Sequence, residues 1–173
     1  IIREKGTNRS KFFRGETDKY GWVDIGSSFL PSDIIAAFLY AQLENIDSIQ
    51  KRRKSIWNSY FEGLSPLAKK EKLQVPILPQ YATNNAHMFY VVTKNLEERS
   101  ALIENMKSQN IHCVFHYLSL HTSQFYTSKH DGRILPSCDH FSDCLVRLPF
   151  YLELGDDDIN RIVEAVGAFF NKK

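Results

Sequence analysis

The sequence predicts an α/β chain in which a long helix leads into a small α+β domain, a small sheet covered by helices. Three observations predict it. Apolar residues recur at helical spacing from Ile35 to Phe61, short strand-like runs alternate with helical patterns from His87 onward, and Pro76 and Pro79 stand between the two regions. The chain accordingly reads as a loop over 1–31, a long helix region over 32–73 and a small α+β domain over 74–173.

In the loop, Gly6, Gly15, Gly21 and Gly26 mix with Arg, Lys and aromatics without a period of 3.6 or 2. Unstructured stretches this long are uncommon within domains, and Phe12, Phe13, Trp22 and Phe29 argue for a partner surface over disorder. Ser32, followed by Asp33, supplies a hydroxyl cap and an acidic first turn for the long helix. Its stripe runs through Ile35, Phe38, Leu39, Leu43, Ile46 and Ile49 and resumes at Ile56, Trp57, Tyr60 and Phe61. The intervening Lys51-Arg52-Arg53-Lys54 reads as a solvated face, and Gly63 and Pro66 are expected to end the helix.

Residues 74–83 form an extended connector, because each proline biases its neighbour away from helix. Strands are expected at 87–93, 111–115 and 145–149. Asn95 and Glu98 resemble a capping box opening a helix with Leu96, Leu102, Ile103 and Met106. Ser137 is expected to cap a short helix ending at Cys144, and Asp156 the last one, which carries Ile159, Ile162, Val163 and Val166.

The 173 residues, 43% hydrophobic, suffice for one packed domain or a small domain plus part of another. A net charge of +2 with both signs spread throughout provides no face for a phosphate backbone, so nucleic acid is not an expected partner. No apolar run approaches the roughly 20 residues of a membrane-spanning helix. Three cysteines without a CxxC spacing fit a reducing compartment, and we expect a cytoplasmic protein. The opening Ile-Ile-Arg-Glu-Lys lacks an initiator Met and any signal pattern, as an internal segment of a longer chain would.

Chemistry concentrates in two places. His116-Tyr117-Leu118-Ser119-Leu120-His121 comes after the second expected strand, where sites collect in α/β proteins. Two imidazoles five apart are a possible metal pair, but there is no obvious third ligand and the helical zincin spacing is not matched, so no metal is expected; a buried, hydrogen-bonded imidazole beside a packed Tyr117 is the plainer reading. Gly26-Ser27-Ser28 precedes a helix and suits an anion such as phosphate, or is an ordinary turn. Asp156-Asp157-Asp158 reads as capping charge, and no P-loop, GxGxxG turn or GxSxG elbow is present.

A set of ordered blocks resembles the DegT/StrS-type sugar aminotransferases. They are Arg3-Glu4-Lys5-Gly6-Thr7-Asn8-Arg9-Ser10, Phe12-Phe13-Arg14-Gly15, Asp18-Lys19-Tyr20, Asp24 to Asp33, Asn85 to Tyr90, His116 to His121 and Arg147-Leu148-Pro149. The resemblance covers essentially the whole chain. It implies the C-terminal part of a fold-type I, dimeric enzyme using pyridoxal 5′-phosphate, with active sites at the subunit interface. Residues 1–31 would be an interface loop at the end of the large cofactor-binding domain. The Schiff-base lysine would lie upstream of Ile1, since Lys5, Lys11 and Lys19 match sequence beyond it, and the chain alone would not transaminate.

The resemblance also assigns residues. Ser28, where the family commonly has Asn, would contact the cofactor phosphate of the neighbouring subunit, and Leu30 stands where the family has Arg. Tyr20, His116, Tyr117 and His121 would lie near the sugar nucleotide, with Ser119 at a position usually Pro. The implied reaction moves an amino group from L-glutamate to C4 of dTDP-4-keto-6-deoxy-D-glucose. The competing reading is a non-catalytic module that binds a nucleotide sugar or a partner.

Overall fold

Gly6 and Gly26 let two stretches of the opening segment cross at contact distance. In the computed structural model, which describes residues 1–171, a Cβ at Gly6 (φ +75°) would stand 1.8 Å from the Asp24 carbonyl oxygen, and one at Gly26 would stand 2.1 Å from the Gly6 nitrogen. Backbone hydrogen bonds use this approach. Ser27 N–H donates to Ile2 O (2.9 Å), Lys5 N–H to Ser27 O (3.1 Å) and Val23 N–H to Gly6 O (2.7 Å). Bridges join Glu4 to Ser28 and Thr7 to Trp22, and the short helix α1 (Arg9–Phe13) lies between them in sequence. The expectation of a plain loop over 1–31 is thus corrected: the segment is ordered by bonds between residues about twenty apart, which no local period signals.

Helix α2 (Asp33–Glu44) begins where Ser32 predicts, the extended serine accepting from Ile35 N–H at 3.4 Å. The single long helix is not formed. Asn45 interrupts it, its N–H donating to Gln42 O (3.1 Å) and its side-chain amide to Ala41 O (3.0 Å), before α3 (Ile46–Lys69) resumes. Nor do Gly63 and Pro66 end α3, because both lie inside it. Leu64 and Leu67 extend the buried stripe past them, and packing outweighs the local helix-breaking tendency.

Packing divides the chain into Ile1–Ile46 and Asp47–Lys173. The boundary expected near residue 74 therefore lies earlier, since α3 shares a core with the sheet and the later helices. In the first unit, no residue of α2 is buried, although Ile34, Ile35, Phe38, Leu39, Tyr40 and Leu43 are large and apolar.

In the second unit, β1 (Tyr90–Val92), α4 (Leu96–Ser108), β2 (Val114–Phe115), α5 (Pro136–Cys144), β3 (Leu145–Arg147) and α6 (Asp156–Asn171) keep the expected order of strand and helix. The sheet is antiparallel, in the order β1-β3-β2, with Val146 opposite both Val91 and Phe115. The strands are shorter than expected because the central one has three residues. Beyond the ladder, the flanks find other partners, Leu148 N–H donating to Phe89 O (3.0 Å) and Gln74 bridging Val92. Ile56, Tyr60 and Leu64 of α3, Phe89, Val91, Val146, Leu102, Met106, Ile162, Val166 and Phe170 form one continuous core.

The caps are partly as read. Asn95 Oδ1 accepts from Glu98 N–H and Glu98 Oε2 from Lys94 N–H, both at 2.9 Å. Ser137 does not cap α5: the cap position is Leu135, and Pro136 opens the helix with a preset φ. The basic run is also corrected. Arg53 Nε donates to Ala86 O (2.9 Å) and its guanidinium lies over Phe150, while Arg52 pairs with Asp156 (3.0 Å) and donates to Leu154 O. Two of the four cations are clamps holding the segment that leads into β1 and the start of α6.

Candidate functional site

Two depressions hold the residues singled out in the sequence, one in each unit. The first, of about 170 Å³, is lined by Arg3, Glu4, Lys5, Thr7, Arg9, Tyr20, Ser28 and Leu30. It exists because the glycine crossing places residues 3–9 beside 20–30. The Glu4–Ser28 bridge seats Ser28, and Asn8 Oδ1 accepts from Gly21 N–H (2.7 Å), anchoring the backbone beside Tyr20. Three cations face one carboxylate there. Glu4 accepts from Ser10 Oγ (2.5 Å), and this bond, aided by Arg3, holds its carboxyl below the usual range, so Glu4 stays ionised. With Ser28 and Tyr20 as hydroxyl donors, the set suits an oxyanion.

The structure thus brings together Ser28 and Tyr20, which the sequence reading assigned to different ligands. Arg3, Lys5 and Arg9 were not singled out. The only sequence signal was three cations spaced two and four apart, which has no meaning until the chain crosses over.

The second depression, of about 230 Å³, is lined by His116, Tyr117, Leu118, Ser119, Leu120, Cys138, Phe141, Ser142 and Leu145. The rings of His116 and Tyr117 pack 4.8 Å apart, and Tyr117 is 79% exposed, so its phenol is open to a ligand. His121 lies outside this lining. Its Nε2 is 3.1 Å from Asp139 Oδ1, and its ring lies 5.2 Å from that of His130.

Ser119 holds the loop in place of a proline. Its N–H donates to Ser142 Oγ (3.2 Å), its hydroxyl to Asp139 Oδ1 (3.1 Å), and the Cys138 thiol donates to that hydroxyl (3.4 Å). Ser119 is buried, and α5 is the rail to which the loop is tied. Asp139 thereby braces both Ser119 and His121, a role that sequence reading missed because the two partners are about twenty residues away.

Residues 1–167 match the model of the DegT/DnrJ/EryC1/StrS aminotransferase family. The chain belongs to that family. Solved structures agree in fold. A DegT/DnrJ/EryC1/StrS aminotransferase from Brucella abortus is 26% identical, with a TM-score of 0.74 over 94% of this chain and 42% of its own. The putative sugar aminotransferase Spr1654 from Streptococcus pneumoniae, in its apo form, is 21% identical, with a TM-score of 0.81 over 99% of this chain and 42% of its own. Helicobacter pylori PseC, an aminotransferase involved in the biosynthesis of pseudoaminic acid, is 18% identical, with a TM-score of 0.80 over 99% of this chain and 45% of its own. This DegT-family chain therefore spans less than half the length of these proteins.

Among the described residues of this family member, no three His, Cys, Asp or Glu gather as metal ligands, and no helix is long and apolar enough to cross a membrane.

Proposed function

We propose that the chain is the C-terminal part of a pyridoxal 5′-phosphate-dependent aminotransferase that moves an amino group from L-glutamate to C4 of dTDP-4-keto-6-deoxy-D-glucose. The observation that carries this reading is the family match over residues 1–167. Spr1654, of the same fold, is described in PLP and PMP forms. Within the family, the blocks around Ser28 and His116 resemble most the dTDP-4-amino-4,6-dideoxygalactose transaminase of enterobacterial common antigen synthesis.

The donor set of the first depression fits the cofactor's phosphate. Ser28 Oγ would donate to it, and Arg3, Lys5 and Arg9 would neutralise it where Leu30 leaves the family's Arg absent. In a homodimer, this phosphate belongs to the cofactor of the neighbouring subunit. The bound cofactor supplies the electron sink for moving the amino group. This chain contributes binding and orientation: His116 and Tyr117 form a wall for the nucleotide sugar, Ser119 and Asp139 fix that wall, His121 is held through Asp139, and Tyr20 closes the phosphate side. The lysine that would hold the cofactor would be supplied by polypeptide upstream, so the 173 residues alone would not transaminate. The enzyme works in the cytoplasm on soluble substrates.

The test joins this chain to upstream polypeptide containing the lysine and supplies pyridoxal phosphate, L-glutamate and dTDP-4-keto-6-deoxy-D-glucose. The joined protein is expected to form 2-oxoglutarate and the 4-amino sugar, and the chain alone neither. Turnover with a UDP-keto-sugar instead corrects the substrate, while no turnover with any keto-sugar nucleotide sinks the reading. Ser28→Ala in the joined protein is expected to weaken cofactor binding about tenfold, through loss of a hydrogen bond to a charged group.

A further inference from the structure

A third depression, of about 800 Å³, lies in the second unit and shares no lining residue with the two described above. It forms where the chain leaving α3 is laid against the end of β1. Helix α3 closes with Glu71 in a left-handed conformation (φ 55°), and Lys72 N–H donates back to Leu67 O at 3.1 Å. The chain then meets β1. Gln74 and Val92 exchange both backbone hydrogen bonds at 2.9 Å, an antiparallel bridge. Two residues from that bridge stand Lys72 on one stretch and Lys94 on the other, the positions that an antiparallel register sets opposite each other. Both line the depression, with Lys70, Gln74 and, from α5, His140.

Like charges opposite each other across an antiparallel pair are destabilising unless something neutralises them. The chain itself does not. None of Lys70, Lys72 and Lys94 forms an ion pair among the described residues. Two carboxylates share the lining, but Glu98 is engaged at Lys94 N–H (2.9 Å) in the cap of α4, so Glu71 stands against three ammonium groups. An anion entering between the lysines relieves their repulsion and is attracted by all three. Gln74 and His140 add amide and imidazole donors, while no Phe, Tyr or Trp lines the depression to stack on a nucleobase. Recognition here is therefore of charge spread over several oxygens. We infer that this depression binds a compact polyanion of the diphosphate class, its phosphoryl groups bridging Lys70, Lys72 and Lys94.

The test titrates inorganic diphosphate into the isotopically labelled 173-residue chain and follows the amide signals of residues 70–74 and 92–94 by NMR. Binding at Arg3, Lys5 and Arg9 is thereby read apart. A saturable shift of these signals is expected, with inorganic phosphate, which cannot bridge, binding at least about tenfold more weakly. Lys72→Gln with Lys94→Gln is expected to weaken the diphosphate titration at least about tenfold. The charge-matched pair Lys51→Gln with Lys107→Gln, outside the lining, should leave it within about twofold. No saturable shift at these residues overturns the site, as does equal weakening by the two pairs, which would mean attraction to net charge alone. Inorganic phosphate or citrate binding as tightly as diphosphate overturns the diphosphate class. Should the double variant lose its folded amide spectrum, Lys70→Gln read on the same signals serves in its place: weakened binding supports the site and unchanged binding overturns it. The experiment needs neither pyridoxal phosphate nor turnover, so its failure leaves the aminotransferase reading standing, and an inactive joined enzyme leaves this site standing.

Discussion

Gly63 of α3 meets Val163 of α6 so closely that a Cβ at residue 63 would stand 2.7 Å from Val163 Cγ1 and 3.0 Å from Cγ2. Valine is stiff at χ1 and cannot swing aside. Gly63→Ala should therefore cost stability, roughly 1–3 kcal/mol of overpacking less about 1 kcal/mol gained from helix propensity. Urea unfolding of the single variant and of Gly63→Ala with Val163→Ala checks it. Failure of the second change to relieve the first would refute the contact.

Arg53 ties α3 to the segment leading into β1 at Ala86 O and His87 O and lies over Phe150. Arg53→Ala is expected to destabilise by about 1.5–3 kcal/mol, the range for hydrogen bonds to charged groups. Arg53→Lys should recover only part. A urea midpoint unchanged in Arg53→Ala would show that the run is a solvated face after all.

Burial pushes the Cys113 thiol up to about 12, from an ordinary value of 9.0. It raises the Tyr60 phenol further still, above 10.0. In the unfolded chain both groups release protons at lower pH than in the fold, so the unfolded state gains as pH rises. The stability is complete below pH 9 and should fall above it, by about 1.4 kcal/mol per pH unit for each group in its window. Melting curves from pH 8 to 11 test this. Cys113→Ala should flatten the first part of the decline, and a wild type equally stable at pH 8 and 10.5 would contradict the burial.

Asp139 braces Ser119 and His121 at 3.1 Å each. Asp139→Ala should speed amide exchange over 117–123 roughly tenfold while leaving α6 unchanged, since one bond to a charged group is worth about 1.5–3 kcal/mol locally. Uniform acceleration across the second unit would mean that Asp139 supports the whole fold and not the loop.

The exposed side chains of α2 predict self-association of the isolated chain, because contiguous apolar surface of this kind is rare on monomers. Phe38→Asp should reduce the scattering mass. A monodisperse wild-type monomer would count against an interface role.

The caps at Ser32 and Asn95 were legible because capping is decided within one helical turn, whereas Asp156, expected as a cap, is the first residue of α6 and lends its first turn acidic charge. The order of elements after residue 87 was legible from periodicity alone. Gly63 and Pro66 misled because their fate depends on Val163, Leu64 and Leu67, which local propensity does not register. Of the candidate sites, the residue types were readable and the groupings were not. Ser28 joins Tyr20 only through the Gly6–Gly26 crossing, and His121 leaves His116 for Asp139 because α5 returns alongside the loop.

The strand order carries a consequence for synthesis. β3 lies in the middle of the sheet and is the last of the three to leave the ribosome, roughly fifty residues after β1. Until Leu145–Arg147 emerges, β1 and β2 have no central partner, so the second unit cannot complete its sheet before then. A chain stopped before residue 145 would carry two unpaired strand edges, open to pairing with other chains.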